Sequence, residues 1–187
     1  LLGGLDVFRG SASLNGDLRL RVEALRDGRA CRGGEVDSAS LQRVREEARK
    51  LRQRIGIDPG LHDASEKTGL VLSFAYPDRI AMSRGNGKYV LSGGRGAVLR
   101  GDQPLSCSPL LVVAEVDDVG TDSRIFRAAP IGMDELLTLR RDLIAEQDEI
   151  TWDEGEASVR ALRTVRLGAL RLKEAPIAGA DQDAILA

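Results

Sequence analysis

The stretch Arg84-Gly-Asn-Gly-Lys-Tyr-Val-Leu-Ser-Gly-Gly-Arg-Gly-Ala-Val-Leu99 leaves the backbone few choices. An Asn-Gly pair accepts the left-handed conformations of a tight hairpin, so Gly85-Asn-Gly87 reads as a turn between strands at Arg79–Arg84 and Lys88–Leu99. A second cluster, Gly93-Gly-Arg-Gly96, reads as a bulge or a sharp barrel corner. It also suits a place where missing side chains let a phosphate approach while Arg95 contacts it. The window 79–101 carries Arg79, Arg84, Lys88, Arg95 and Arg100 and no acid, in a chain whose formal net charge is −2. Surplus positive charge on a β-ribbon is the footprint of a surface that meets phosphate.

At 187 residues there is material for one good core or for two small ones. An apolar fraction of 42% with 30% charged residues describes a soluble globular protein, and 3% aromatics leaves Leu, Val, Ile and Ala to build its interior. Cys31 and Cys107 lie far apart without metal-ligand spacing, as for reduced thiols in a cytoplasmic protein. His62, the one histidine, falls in a polar stretch after Pro59 and reads as a solvated loop residue. No apolar run reaches membrane-spanning length and no leader pattern is present, so no membrane partner is expected. The chain opens without Met and stops where a helix is starting, which we read as a piece of a longer protein.

Three zones follow. Residues 1–67 read as helical. Asp17–Arg26 places Leu18, Val22 and Leu25 on one face behind Asn15 or Asp17 as cap, although Leu18–Val22 also alternates like a strand. Asp37–Ile55 has Asp37 or Ser38 as cap, an apolar seam of Leu41, Val44, Ala48, Leu51 and Ile55, and Gly56 with Pro59 as stops. Its outer face carries Arg43, Arg45, Arg49, Lys50, Arg52 and Arg54, a solvated face or a nucleic-acid contact. Gly69–Tyr76 is too short for periodicity to separate helix from strand, but Ser65-Glu66 ahead and Pro77 behind favour a helix.

The middle zone is β-rich, with further strands at Leu110–Asp117 and Arg124–Ala129. Leu110–Val116 is apolar enough to be buried on both faces. Met133–Ile144 reads as a helix with Asp134-Glu135 in its first turn, where the dipole favours acids. In the last zone seven acids and no base occupy 142–158, and five bases (Arg160, Arg163, Arg166, Arg171, Lys173) and no acid occupy 159–173. Alternation there suggests a β-meander with Gly155 and Gly168 near its turns, and the second basic stretch is a candidate extension of the first.

Catalytic constellations fail the sequence. Gly87-Lys88 is followed by Tyr89 and a strand, not by Ser or Thr and a helix, and Met82 stands where a phosphate loop needs its first glycine. No βαβ unit surrounds Gly93–Gly96, no histidine pairs with a nucleophile, and metal-ligand clusters are absent. Asp78 beside Arg79 reads as a structural ion pair.

Several segments resemble the HrpB-type ATP-dependent helicases of the DEAH class. They are Leu70-Val-Leu-Ser-Phe-Ala-Tyr-Pro-Asp-Arg-Ile-Ala81, Gly87–Leu99, Leu111-Val-Val-Ala-Glu-Val-Asp117 and Arg124-Ile-Phe-Arg-Ala-Ala-Pro-Ile131. Ile150-Thr-Trp-Asp153 and Arg166-Leu-Gly-Ala-Leu-Arg-Leu172 match that family's carboxy-terminal part. The similarity runs over 69–175 and fades before 37. It implies an α+β fold: an amino-terminal helical, ratchet-like region (1–67), then a helix with an OB-fold-like antiparallel β-barrel (68–150), then a β-hairpin or meander extension (151–187). The family's RecA-like motor domains, phosphate loop and DEAH-type magnesium motif have no counterpart in these residues. ATP and magnesium are therefore expected for the parent protein, with no cofactor and no catalytic residue in this chain.

The expected function is a carboxy-terminal accessory region that binds and guides single-stranded nucleic acid, RNA above all, for motor domains of the same polypeptide. Arg84, Lys88, Arg95 and Arg100 would contact phosphate. Tyr89 would stack on a base or, alternatively, sit in the barrel core. The rival reading is a protein-interaction module that packs on the motor and touches nucleic acid little.

Overall fold

Two aspartates set where the helical region begins its helices. The computed structural model describes residues 6–28, 35–56, 65–117, 123–153 and 158–177, so His62 and Cys31 lie outside the described residues. Asp17 accepts from the Arg19 backbone N–H and caps α1 (Leu18–Asp27); Asp37 accepts from Ala39 and Ser40 and caps α2 (Ser38–Ile55). Two short strands, β1 (Phe8–Arg9) and β2 (Glu35–Val36), pair antiparallel beside them. Val7, Phe8, Ala24 and Leu41 form the small core of this region.

The expected α2 seam is buried only along its first part. Leu41 packs inward and Val44 joins it, but Leu51 and Ile55 are 54% and 66% exposed. Length explains the difference: at about 1.5 Å per residue, the ten residues of α1 cannot cover the eighteen of α2. Arg45 marks where cover ends, donating from Nε to the Leu25 carbonyl at 2.6 Å.

Asp6 ties this region to the rest. Its carboxylate receives both Nε (3.0 Å) and Nη2 (2.8 Å) of Arg21, a guanidinium only 1% exposed, and Nη2 of Arg127 at 2.7 Å. Burial would raise the acid's pKa, but the Arg21 hydrogen bond, the Phe8 backbone N–H and the two guanidinium charges hold it below the usual value.

After α3 (Thr68–Ala75), five strands close a barrel: β3 (Ile80–Gly85), β4 (Lys88–Leu91), β5 (Gly96–Leu99), β6 (Leu110–Val116) and β7 (Ser123–Pro130). The order round the ring is β3-β4-β5-β7-β6, with β6 returning to β3. The expected strand 88–99 breaks in two at Ser92–Arg95, which makes the count five. A closed ring of five strands cannot alternate direction throughout. One neighbouring pair must be parallel, and that pair is β5–β7. All others are antiparallel.

The first four residues of β6, Leu110–Val113, are buried on both faces, as the composition of the run suggests, while Glu115 is exposed. Leu111 and Val113 point into the barrel with Ala81, Leu91 and Leu99. Leu110 and Val112 face outward into a second core with Ile80, Val90, Ile131 and Leu136. This outer layer is supplied by α3, by α4 (Met133–Leu139) and by a three-stranded sheet. In α3, Gly69 admits the chain so close that a Cβ there would stand 1.9 Å from the Pro130 carbonyl oxygen.

The helix expected over Met133–Ile144 stops at Leu139, and Arg141–Leu143 forms a 3-10 turn. Arg140 accounts for the stop. It is buried, donates to Ser73 and to both oxygens of Asp142, and lies 4.4 Å over the Phe74 ring. The meander is the antiparallel sheet β10-β9-β8, built from β8 (Ala145–Asp153), β9 (Ser158–Leu167) and β10 (Leu170–Pro176). β8 pairs along its length with β9, so the division drawn after residue 150 falls inside one strand of this sheet.

Candidate nucleic-acid interface

The hairpin at Gly85-Asn86-Gly87 positions the first two candidates. Gly85 pairs with Lys88, leaving Asn86 (φ 52°) and Gly87 (φ 70°) as a two-residue loop with both residues left-handed, the signature of a type I′ turn. A Cβ on Gly87 would stand 2.7 Å from the Leu99 carbonyl oxygen, while the Leu99 N–H donates to the Gly87 carbonyl at 2.9 Å. Turn and β5 end are thus clamped together. Arg84 sits in the bulge between Ser83 and Gly85, Lys88 opens β4, and Arg100 directly follows Leu99.

All three side chains are exposed, and none makes an ion pair with a described residue. Three of the four candidate phosphate contacts therefore converge on one end of the barrel. Arg95 does not join them. It is half-buried in the Ser92–Arg95 turn at the other end of β4, about 10 Å along the strand from Lys88.

Of the two readings of Tyr89, base stacking and a place in the barrel core, the structure corrects the first and takes the second. Tyr89 is 1% exposed and lines the barrel interior. Its hydroxyl lies 3.2, 3.1 and 3.1 Å from the carbonyl oxygens of Leu105, Ser106 and Ser108 and shares its one proton among them. Burial pushes the phenol pKa up. Alternation along β4 fixes this outcome: Lys88 and its partner Val98 face out, so Tyr89 and its partner Ala97 face in. No base can stack on it.

The glycine corner is covered on its Ser92 side, while Gly93 and Gly94 are exposed. The β9–β10 turn, Gly168-Ala169, lies on Ser92: the Ala169 N–H donates to the Ser92 carbonyl at 2.8 Å, and a Cβ on Gly168 would meet that oxygen at 2.3 Å. Ser92 Oγ donates to the Asp78 carbonyl at 2.7 Å. Behind the turn, Leu167, Leu170 and Leu172 pack into the outer core that holds Val90. Each such leucine contributes roughly 1.5–3 kcal/mol through burial. The close backbone approach of Gly168 to Ser92 thus serves protein packing. Gly168 carried a turn signal in the sequence, but nothing there linked it to Ser92.

Three of the five bases of the second stretch are paired with acids and do not extend the first. Arg163 meets Asp148 at 2.8 Å, Arg166 meets Glu149 at 2.8 Å, and Arg171 meets Glu174 at 2.8 Å and Glu149 at 3.3 Å. The acidic block on β8 lies beside the basic block on β9, and the two cancel. Arg79 also has company: 4.0 Å from Asp78, it lies 4.9 Å over the Tyr76 ring and donates to the Ala114 carbonyl.

Residues 143–177, which span the three-stranded sheet, match the family model described as ATP-dependent RNA helicase HrpB, connector region. Over 142 residues the chain is 32% identical to the ATP-dependent RNA helicase HrpB of Escherichia coli (strain K12), a match covering 73% of this chain. The chain thus resembles one part of an HrpB protein. It spans 17% of that HrpB relative's length. The crystal structure of the E. coli DExH-box NTPase HrpB superposes with a TM-score of 0.69 at 27% identity, over 92% of this chain and 20% of that one. A crystal structure of the Escherichia coli DEAH/RHA helicase HrpB agrees in fold, with a TM-score of 0.64 at 22% identity, over 91% of this chain and 20% of its own. This chain accordingly corresponds to one region of those HrpB relatives, the part that includes their connector.

Gly87-Lys88 belongs to a strand hairpin and not to a loop that opens a helix. Among the described residues no three His, Cys, Asp or Glu side chains cluster as a metal site, and no helix is long and apolar enough to cross a membrane.

Proposed function

We propose that this region binds and guides single-stranded RNA for the motor domains of a cytoplasmic HrpB-type helicase, holding the phosphate backbone at one end of its barrel. One observation carries the reading: Arg84, Lys88 and Arg100 are brought together by the Asn86-Gly87 turn and left without counter-ions among the described residues. The strand order, with its single parallel pair, supports reading the barrel as an OB fold, an architecture that uses its outer strands and loops for oligonucleotides. ATP and magnesium would act at the motor, and no step involving them falls to residues of this chain.

Contact through three cations and no aromatic stack gives binding that is tolerant of sequence and sensitive to salt. The test is fluorescence anisotropy of the 187-residue chain with a labelled uridine oligomer at low and moderate salt. Binding at low salt that the Arg84/Lys88/Arg100 triple alanine weakens about 100-fold supports the proposal. Absence of binding at low salt, or affinity indifferent to the triple substitution, rejects it in favour of a module that only packs against protein.

A further inference from the structure

Of the three cations at the barrel end, Arg100 alone stands outside the strands. Arg84 belongs to β3 and Lys88 to β4, whereas β5 ends at Leu99. Gly101 follows at a φ of 89° and turns the chain away. No ladder therefore holds the Arg100 backbone. Its carbonyl is taken by a side chain instead, Gln103, whose Nε2 donates to it at 2.7 Å.

The other atom of the same amide reaches the helical region. Gln103 Oε1 accepts from the Gly16 N–H at 2.8 Å, across 87 positions of sequence. Gly16 is buried and directly precedes Asp17, the cap of α1. From the barrel side, the Ala128 N–H donates to the Gly16 carbonyl at 2.9 Å. The fit is close: a Cβ on Gly16 would stand 3.1 Å from Leu99 Cδ1, 3.3 Å from the Phe126 carbonyl oxygen and 3.4 Å from Gln103 Oε1. Gln103 is itself fixed through its main chain. Its carbonyl accepts from the Ser106 N–H at 2.9 Å and from Ser106 Oγ at 2.7 Å. Making both side-chain bonds takes a donor and an acceptor on one planar group at this reach. Asn is one methylene shorter, and ionised Glu has no donor.

We propose that Gln103 is a positioning residue for RNA, a role that rests on the RNA reading of the barrel end: it fixes Arg100 against the Gly16 segment, so that the cations and the helical region meet the strand in one geometry. A contact whose backbone is already ordered loses less conformational entropy on binding. Lys88 needs no such help, because it pairs with Gly85 on one side and Val98 on the other.

The test is a double-mutant cycle on the 187-residue chain with the labelled uridine oligomer at low salt. Gln103→Met keeps the length of the side chain and removes both bonds. Arg100→Ala should weaken binding about fivefold in the native background and less than about twofold beside Gln103→Met, with circular dichroism unchanged. Lys88→Ala should cost about fivefold in both backgrounds. An equal cost of Arg100→Ala in the two backgrounds overturns the proposal. So does a matching loss of the Lys88→Ala effect, which would mark a general loosening of the barrel. A second measurement needs no RNA. On Gln103→Met the amide order parameter of Arg100 should fall from about 0.85 towards about 0.6 while that of Lys88 holds. If the oligomer fails to bind the native chain, the RNA reading falls and the order parameter alone decides: an unchanged value at Arg100 overturns the positioning role.

Discussion

On the barrel, Arg84, Lys88 and Arg100 stand without an acid partner among the described residues; on the three-stranded sheet, Arg163, Arg166 and Arg171 each hold a carboxylate between 2.8 and 3.3 Å. Both groups come from stretches with five bases and no acid. What separates them is the neighbouring strand. β9 lies beside the acidic β8, in a register that sets Asp148 opposite Arg163. β4 lies between β3 and β5, which carry no acids. Charge segregated along a chain becomes a charged surface only when strand pairing does not fold one block onto the other.

The widest gap between the two groups should appear in RNA affinity. Replacing Arg84, Lys88 and Arg100 by alanine should lower it about 100-fold near 0.1 M salt and flatten the logarithmic salt slope by about 2. Replacing Arg163, Arg166 and Arg171 should leave affinity within about twofold, as anisotropy would show. A matching loss from the sheet triple would end the distinction.

The next effect concerns what holds the two regions together. Gly168→Ala should destabilise the chain by about 1–3 kcal/mol, because the new Cβ meets the Ser92 carbonyl oxygen and the backbone must shift. Thermal unfolding would measure it, and an unchanged midpoint would mean that the turn docks elsewhere. Tyr89→Phe should cost about 1 kcal/mol by leaving three carbonyls short of a donor, with RNA affinity unchanged. A selective loss of RNA binding would return Tyr89 to the interface.

The smallest effect is a pH signature of the paired side. The hydrogen bond from Arg163 holds the Asp148 carboxyl below its ordinary pKa. A depressed acid stabilises the fold above its unfolded value, about pH 4, and that contribution is lost as pH falls through the lower folded value. Arg163→Ala should therefore lower the melting point slightly at pH 7 and not at pH 2. The barrel triple should show no such convergence.

Much of the architecture was legible because it depends on neighbours in sequence. Asp17 and Asp37 cap helices by bonding their own next turn, and Asn86-Gly87 can make its turn whatever surrounds it. The double burial of Leu110–Val113 followed from composition. The candidate interface was legible in part: Arg84, Lys88 and Arg100 lie within two residues of the hairpin turn or of the residue bonded to it. Tyr89 was left open between base and core, and Arg95 was grouped with residues that lie at the other end of β4. Tyr89 could have been placed from Lys88, since adjacent strand residues point oppositely.

By itself the sequence determined the helix starts, the hairpin turn, the apolar strand and a family resemblance, all properties carried by contiguous residues. Only the tertiary structure decided that five strands close with one parallel pair, that Gly168 rests on Ser92, and that Asp6 joins Arg21 to Arg127. It also decided that Arg163, Arg166 and Arg171 are paired with acids while Arg84, Lys88 and Arg100 are left open. The physical reason is shared. Each of these outcomes depends on which distant segments become neighbours, and that is settled by burying both faces of the barrel strands at once, a condition no single segment records.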